Sequence, residues 1–294
     1  MKLLRITAEG LPLFKEKLDL TFYAQQRISE EQKSILYPLF SNIYLNSATG
    51  FIGINASGKT SVLRVILLAL EIINNEPINH IETRDILGDA KEVKLNMYFF
   101  FEKTNEICRL ETIVTSQKSK SEGINYSIVS ESLWTKGVDE VITRKAMLDF
   151  ERREPIMIRS SQEDFLPDDV SIMIARNKKT KEHIRIVNLL KYTNENILPF
   201  SEDVPTEVIG FLDPTIERLH FDENDNKTLI HLKFKEKEEI LLNNPVELNN
   251  YLSSGTIKGM ITFTLAQEVL QKGGYIVVDE VENHFNKEIV TTLM

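Results

Sequence analysis

Gly53-Ile54-Asn55-Ala56-Ser57-Gly58-Lys59-Thr60 is the stretch that decides how the rest of the sequence is interpreted. It satisfies the pattern Gly-x4-Gly-Lys-Thr, in which backbone amides wrap around phosphate oxygens and a helix begins at the end of the loop. Residues 59–74 are apolar almost all round a helical wheel, which predicts a buried helix whose N-terminus faces the same phosphates. The alternative is a plain glycine turn before a helix.

Individual side chains of this loop have separate expected roles. Lys59 is expected to reach the β and γ phosphates of ATP and to assist catalysis, and the Thr60 hydroxyl is expected to ligate Mg²⁺. The residues expected to bind the nucleotide here are Gly53, Asn55, Ala56, Ser57, Gly58, Lys59, Thr60 and Ser61.

A second segment with candidate functional residues is the apolar run 274–278, which is followed by Asp279 and Glu280. A continuous apolar run of this kind is typical of a buried parallel strand, and acids at its end fall at the rim of the sheet, where ligands bind. Asp279 is therefore expected to ligate the Mg²⁺, and Glu280 is expected to act as general base toward the attacking water. The alternative is two acids that only solvate a strand end.

Composition restricts the class of protein. The chain has 294 residues, 42% of them hydrophobic and 27% charged, with a formal net charge of −9. This balance is typical of a soluble globular protein, and the acidic excess argues against nucleic-acid binding as a property of the whole surface. Cys108 is the single cysteine, so an intramolecular disulfide is excluded. With no apolar run long enough for a membrane span and no secretory signal, the sequence predicts a cytoplasmic protein without a membrane partner.

Hydrophobic periodicity predicts several further elements. Residues 2–7 and 18–23 are expected to pair as antiparallel strands around the turn at Gly10, whereas 24–48 read as irregular. A helix is expected over 257–272, ended by Gly273. Residues 91–102 and 107–115 are expected to form a hairpin with Thr104-Asn105 at the turn, and the other expected strands are 50–53, 126–129 and a pair within 219–234.

The segment Leu252-Ser253-Ser254-Gly255-Thr256 precedes the Asp279 strand by one helix. In this order the motifs resemble those of ABC-type ATPases, in which a Leu-Ser-Gly-Gly-Gln signature precedes the Walker B strand. Ser254 and Thr256 stand where that signature has glycine and glutamine, a variant similar to SMC-like and RecF-like ATPases and to AAA-family ATPases related to the overcoming-lysogenization-defect proteins. The alternative for this segment is an ordinary serine N-cap followed by a flexible glycine.

The resemblance implies an α/β fold: a P-loop NTPase head of the ABC type, with a mixed sheet, an antiparallel β subdomain and a helical insert. It implies one domain over 1–294, with an N-terminal lobe (1–136), a partly helical insert (137–250) and a signature and Walker B lobe (251–294). It also implies a homodimer that sandwiches ATP and Mg²⁺, in which Ser253, Ser254 and Gly255 of one copy bind the nucleotide held by the other.

Several positions depart from the family pattern. Ala56 replaces a common loop glycine and is expected to keep a negative φ. Asn286 replaces the usual D-loop residue, and either Gln117 or Gln162 is the expected Q-loop glutamine. The sequence ends at Met294, before the position of the family's switch histidine, so a C-terminally truncated chain with weak hydrolysis is expected.

The leading functional prediction is an ATPase that couples hydrolysis to a conformational change, with a role in phage defence or DNA-related processes. One alternative is a regulatory nucleotide-binding module without turnover, and another is an ATPase subunit partnered with a nuclease or a toxin. A transporter subunit is disfavoured by the long polar insert between the motifs. The basic run 176–181 is interpreted as a solvated helix end in preference to a DNA contact.

Overall fold

The computed structural model describes residues 1–119, 123–159, 166–190, 204–224 and 227–281. The chain divides into two compact units, Met1–Ile184 and Arg185–Met294. The boundary between the units falls within the segment 137–250, which the sequence assigned to an insert. The architecture is mixed α/β and includes a multi-stranded antiparallel sheet.

The helices and strands of the described residues are as follows. The helices are α1 (Lys59–Ile73), α2 (Arg144–Leu148), α3 (Met173–Thr180), α4 (Thr206–Leu212) and α5 (Ser254–Lys272). The strands are β1 (Lys2–Glu9), β2 (Leu18–Thr21), β3 (Leu36–Phe40), β4 (Ile43–Asn46), β5 (Val93–Phe101), β6 (Glu106–Ser119), β7 (Gly123–Gly137), β8 (Met157–Ile158), β9 (Ile186–Leu189), β10 (Ile216–Asn224), β11 (Lys227–Phe234), β12 (Ile240–Leu242) and β13 (Tyr275–Val278).

The first unit is built on a six-stranded antiparallel sheet with the order β2-β1-β5-β6-β7-β8. The predicted pairing of β1 with β2 is confirmed, as is the β5–β6 hairpin with its turn at Thr104-Asn105. Side chains alternate along each strand, so β5 buries Leu95, Met97 and Phe99 on one face and carries Lys94 and Tyr98 on the other. One face of the sheet is therefore apolar, whereas the other carries polar side chains around Lys94 and a second hydrophobic cluster around Phe100.

The helix α1 is the buried helix that the sequence predicts. Its residues from Val65 to Leu70, with Ile72 and Ile73, are buried. Asn177 of α3 lies at its C-terminal end, where the side-chain amide donates to the Ile73 carbonyl at 2.7 Å. The last carbonyls of a helix need such partners, so α3 completes the end of α1.

Two expectations for residues 24–53 are wrong. No strand forms at 50–53, and β3 and β4 instead form a hairpin in a region expected to be irregular. The hairpin was not expected because it contains Pro38, and proline is poorly tolerated within sheets. Here Pro38 lies in a two-stranded sheet beside a register shift. Ile52 is fully exposed, so the apolar residues before the loop are not part of a buried strand.

The second unit combines a three-stranded antiparallel sheet, β10-β11-β12, with a parallel pair, β9 and β13. The strand expected before Asp279 is confirmed as parallel, with Tyr275 opposite Ile186 and Val278 opposite Leu189. The partner strand β9 was not predicted, because four residues, three of them half-buried, give little periodic signal. The helix α4 packs closely on α5, since a Cβ on Gly259 would lie 2.4 Å from the Leu212 side chain.

The predicted helix over 257–272 begins three residues earlier, at Ser254, and ends at Lys272 as expected. Gly273 follows with a φ of 76°, a conformation that glycine adopts without a steric penalty. Among the described residues no helix is long and apolar enough to cross a membrane.

Candidate nucleotide-binding site

The loop at 53–58 curls back on itself before α1 begins. Gly58 is the N-cap of α1 with a φ of 92°, and the Ser57 amide donates to the Ile54 carbonyl at 3.2 Å. A Cβ on Gly53 would lie 2.5 Å from the hydroxyl oxygen of the exposed Ser57, a contact that rotation of the Ser57 side chain can relieve. Gly58 is therefore the glycine whose conformation the bend favours.

Lys59 folds over the loop that precedes it. Its ammonium group donates to the Gly53 carbonyl at 2.8 Å and to the Ile54 carbonyl at 3.3 Å. A cation held this way lies beside the loop backbone and can exchange these carbonyls for phosphate oxygens. Both the loop and the first turn of the helix are open to solvent, since Thr60 is exposed.

The expectation of a negative φ at Ala56 is wrong, because its φ is 62°. The left-handed conformation costs a residue with a Cβ about 1–2 kcal/mol, a cost that the glycine common at this position would avoid. Strain of this kind persists where the surrounding structure imposes it, and such positions cluster at functional loops.

The remaining loop residues present their side chains at the surface. Asn55 and Ser57 are exposed, and Ser61 is half-buried in the first turn of α1. The first helical turn carries no acidic residue that would repel an anion. These features suit the positive end of a helix facing phosphate oxygens.

The expected signature segment is organised as a helix cap. The Ser253 hydroxyl oxygen accepts from the Thr256 amide at 3.0 Å and lies 2.8 Å from the Thr256 hydroxyl oxygen. Ser253 and Ser254 are exposed, whereas Gly255 is half-buried. The serine N-cap is thus confirmed as the local geometry, and a role of these residues toward a second molecule's nucleotide stays a prediction.

Asp279 and Glu280 lie at the end of β13, as expected. The Asp279 carboxylate accepts from the Glu280 amide at 2.9 Å, and Glu280 has a φ of 52°. The turn leaves the Glu280 side chain exposed. A carboxylate in water at a strand end is placed to accept a proton, and its left-handed backbone marks a position of strain.

A buried cation near these acids was missed by the sequence reasoning. Lys258 of α5 is 6% exposed, so burial lowers the pKa of its ammonium group, while the negative charge of Glu280 acts in the opposite direction. The signal in the sequence was a lysine inside the apolar stretch 257–261. A charge in such a stretch needs a counter-charge nearby.

The two expected ligands of Mg²⁺ belong to different units, Thr60 to the first and Asp279 to the second. A hydroxyl and a carboxylate are the hard oxygen ligands that Mg²⁺ takes, so the donor set fits this ion. Within the described ranges no group of three or more His, Cys, Asp or Glu side chains is arranged to hold a metal. Joint coordination by Thr60 and Asp279 stays a prediction.

The structure describes one of the two Q-loop candidates and the basic run, but not the D-loop position. Gln117 is exposed on β6, opposite Asn125 of β7, while Gln162 and the D-loop position Asn286 lie outside the described residues. The basic run forms the last turn of α3 and the residue after it, with Lys178, Lys179 and Lys181 exposed. Lysines in the last turn of a helix interact favourably with the negative end of the helix dipole. Their exposure here is consistent with a solvated helix end.

Comparison with known proteins gives no matching family model and no matching curated protein.

Proposed function

We propose that the chain binds ATP through the loop 53–60 and hydrolyses it. The observation that carries the proposal is the loop itself: it bends at Gly53 and Gly58, holds the Lys59 ammonium beside its backbone, and leads directly into α1. A phosphate chain approaching the loop meets the Lys59 cation and the positive end of a fifteen-residue helix. Both the Lys59 cation and the helix end attract an anionic ligand.

The proposed chemistry assigns a separate task to each remaining group. Mg²⁺, when bound, supplies charge neutralisation at the phosphates, with Thr60 and Asp279 as its protein ligands. Glu280 accepts the proton of the attacking water, and Lys59 stabilises the charge that develops on the phosphoryl oxygens. Ser253, Ser254 and Gly255 complete the site of a second copy in a homodimer, through the exposed N-terminal end of α5.

Two substitutions test binding and turnover separately. Lys59→Ala is expected to lose ATP binding, measured by fluorescent-nucleotide titration, because it removes the cation at the loop. Glu280→Gln is expected to bind ATP as the parent does while phosphate release falls about 100-fold or more, since it removes the base. Lys118→Gln is the matched control, as Lys118 is exposed and pairs only with Asp89 in the described residues. Nucleotide binding that survives Lys59→Ala unchanged would refute the proposal.

A second candidate is a regulatory module that binds ATP without turnover. The observation in its favour is the turn at β13, where the Asp279 carboxylate is engaged by the Glu280 amide and Glu280 has a left-handed backbone. ATP binding that depends on Lys59, together with phosphate release that is equal in the parent and in Glu280→Gln, would select this candidate.

The family resemblance extends the proposal to phage defence, with DNA, a nuclease or a toxin as the partner. The exposed lysines of α3 give the DNA part a test. Salt-sensitive DNA binding that is lost in Lys178→Glu, Lys179→Glu and Lys181→Glu combined would support it, because phosphate contacts release counterions. Binding that is insensitive to these changes would place any DNA contact elsewhere.

A further inference from the structure

A cleft lies on the face of the six-stranded sheet that carries Lys94 and Tyr98, and none of its lining residues belongs to the loop 53–60. It has a volume of about 490 Å³ and lies between the strands β1, β5 and β6 and the segment 145–151. That volume falls within the range of about 300–1,000 Å³ that is usual for small-molecule sites. All of its lining residues belong to the first unit.

One wall of the cleft carries a guanidinium group fixed by a carboxylate. The Nε and Nη2 atoms of Arg5 both donate to Asp19, the first at 2.8 Å. This two-point contact uses one edge of the guanidinium. Its Nη1 atom makes no hydrogen bond to any described residue, so two N–H groups of Arg5 are available to a ligand.

A second guanidinium, that of Arg109, is fixed even more firmly. Its Nε and Nη2 atoms lie 3.0 and 2.9 Å from the Asn96 side-chain oxygen, and Nη2 also donates to Glu111 at 2.5 Å. The group lies over the Trp134 ring, 4.8 Å from its centroid. Its Nη1 atom is likewise without a partner among the described residues. A guanidinium held in this way loses little freedom when a ligand binds.

The charges around the two arginines include both signs. Lys17 pairs with Glu9 at 2.8 Å, and Lys94 pairs with Glu111 at 3.1 Å. Lys145 is exposed at the rim and forms no ion pair within the described part of the chain. The carboxylates of Asp149 and Glu151 also line the rim and repel an anion.

A solvated lattice of surface ion pairs accounts for Lys17 and Lys94, and Asp19 and Glu111 likewise offset the charges of Arg5 and Arg109. These pairs leave N–H groups of both guanidiniums unused in one cleft, with the Lys145 amine beside them. Those directed donors, and not an excess of positive charge, suit a phosphate group, because arginine forks match the geometry of phosphate oxygens.

We propose that this cleft is a second ligand site, which binds a phosphate-bearing molecule through Arg5, Arg109 and Lys145. A mononucleotide and the phosphodiester backbone of a single strand share this chemistry. The cleft volume admits a ligand of nucleotide size, and the half-buried Tyr98 ring in the lining offers contact to a base.

The test uses the full chain carrying Lys59→Ala, so that the loop 53–60 does not contribute to the signal. Three probes are titrated: thymidine 5′-monophosphate, a fluorescent oligothymidylate, and thymidine as the uncharged comparison. Binding of the monophosphate alone supports the proposal with a free nucleotide as ligand, and binding of the oligomer also supports it with a phosphodiester backbone. Thymidine binding as tight as the monophosphate, or no binding of either phosphate probe, would overturn it.

Charge variants distinguish the cleft from the rest of the surface. Arg5→Gln and Lys145→Glu are each expected to weaken phosphate binding about two- to fivefold, the range of one exposed ion pair. Glu151→Gln is expected to strengthen it, because a repelling carboxylate is removed, and a misfolded variant cannot imitate that gain. Lys118→Gln, an exposed lysine outside the cleft lining, is the control. Equal affinity in Lys145→Glu and the parent, with circular dichroism showing both folded, would reject the site.

Discussion

Ala56 is the residue at which the loop 53–60 stores strain, with its φ of 62°. We expect Ala56→Gly to raise the free energy of unfolding by about 1 kcal/mol, because glycine adopts this conformation without the Cβ penalty. Urea unfolding measures the change. The matched control is Ala175→Gly on the exposed side of α3, which should lower stability by about 1 kcal/mol, the cost of glycine within a helix. The same sign in both variants would contradict the assignment of strain to Ala56.

Glu71 of α1 gives the stability of the protein a defined pH dependence. Burial, and then the charges of Glu76 and Glu82, raise the pKa of Glu71 from 4.5 to about 7. A carboxyl with a raised pKa in the folded state contributes stability below the unfolded pKa, and that contribution is lost as the pH rises through the folded pKa. The native protein therefore loses stability between about pH 4.5 and pH 7 on account of this group.

Glu71→Gln is expected to remove that loss. At pH 8 the variant should be more stable than the parent by about 1–2 kcal/mol, a value reduced because the group is only half-buried. At pH 4.5 the two should unfold at nearly the same urea concentration. Glu92→Gln is the control, since Glu92 is exposed and its charge is not among those that raise the pKa of Glu71, so stability should shift little at either pH. A constant difference between Glu71→Gln and the parent across this range would refute the pH dependence.

At the scale of elements, Gly259 determines how closely α4 and α5 approach. The Cδ2, Cδ1 and Cγ atoms of Leu212 would lie 2.4, 2.9 and 3.2 Å from a Cβ at this position. Gly259→Val should therefore lower the free energy of unfolding by about 1–3 kcal/mol, because overpacking forces the helices apart. Leu212→Ala should cost less in the Gly259→Val background than alone, which a double-mutant cycle measures. Additive effects would show that the two side chains do not compete for space.

The elements differ in how far periodicity alone predicts them. The helix α1 and the β5–β6 hairpin were predictable, because eight apolar residues are buried along one helix and apolar residues recur at every second position from Val93 to Phe99. The hairpin of β3 and β4 was not predictable, since Pro38 lies within it. The strand β9 was not predictable either, because it forms by pairing with β13, in which Tyr275 lies opposite Ile186.

At the scale of the whole molecule, the proposed ATP-dependent dimer has a direct test. In Glu280→Gln the nucleotide is expected to persist, so ATP with Mg²⁺ should shift the chain from monomer to dimer in sedimentation velocity. Ser253→Ala should weaken this shift, because it removes a hydroxyl proposed to contact the partner's nucleotide, and Lys59→Ala should abolish it. A sedimentation coefficient that ATP leaves unchanged in Glu280→Gln would argue against the homodimer while leaving ATP binding by a single chain open to its own test.

Four features follow from the sequence alone: the glycine-bounded loop 53–58, the helix after it, the acids after an apolar strand and the serine cap at Ser253. Each of these depends on residues close together in the chain, where glycine, apolar period and capping chemistry act locally. The sequence also predicted a single domain. The structure divides the chain into two compact units after Ile184, and the single domain stays a prediction.

Three further features depend on the folded chain: the left-handed backbone of Ala56 and Glu280, the burial of Lys258 and the cleft around Arg5 and Arg109. These features arise from contacts between residues far apart in sequence: Arg5 and Arg109 line one cleft because β1 and β6 both pair with β5. Pairing across a sheet is set by the total burial of its apolar face, a quantity that no local stretch of sequence contains.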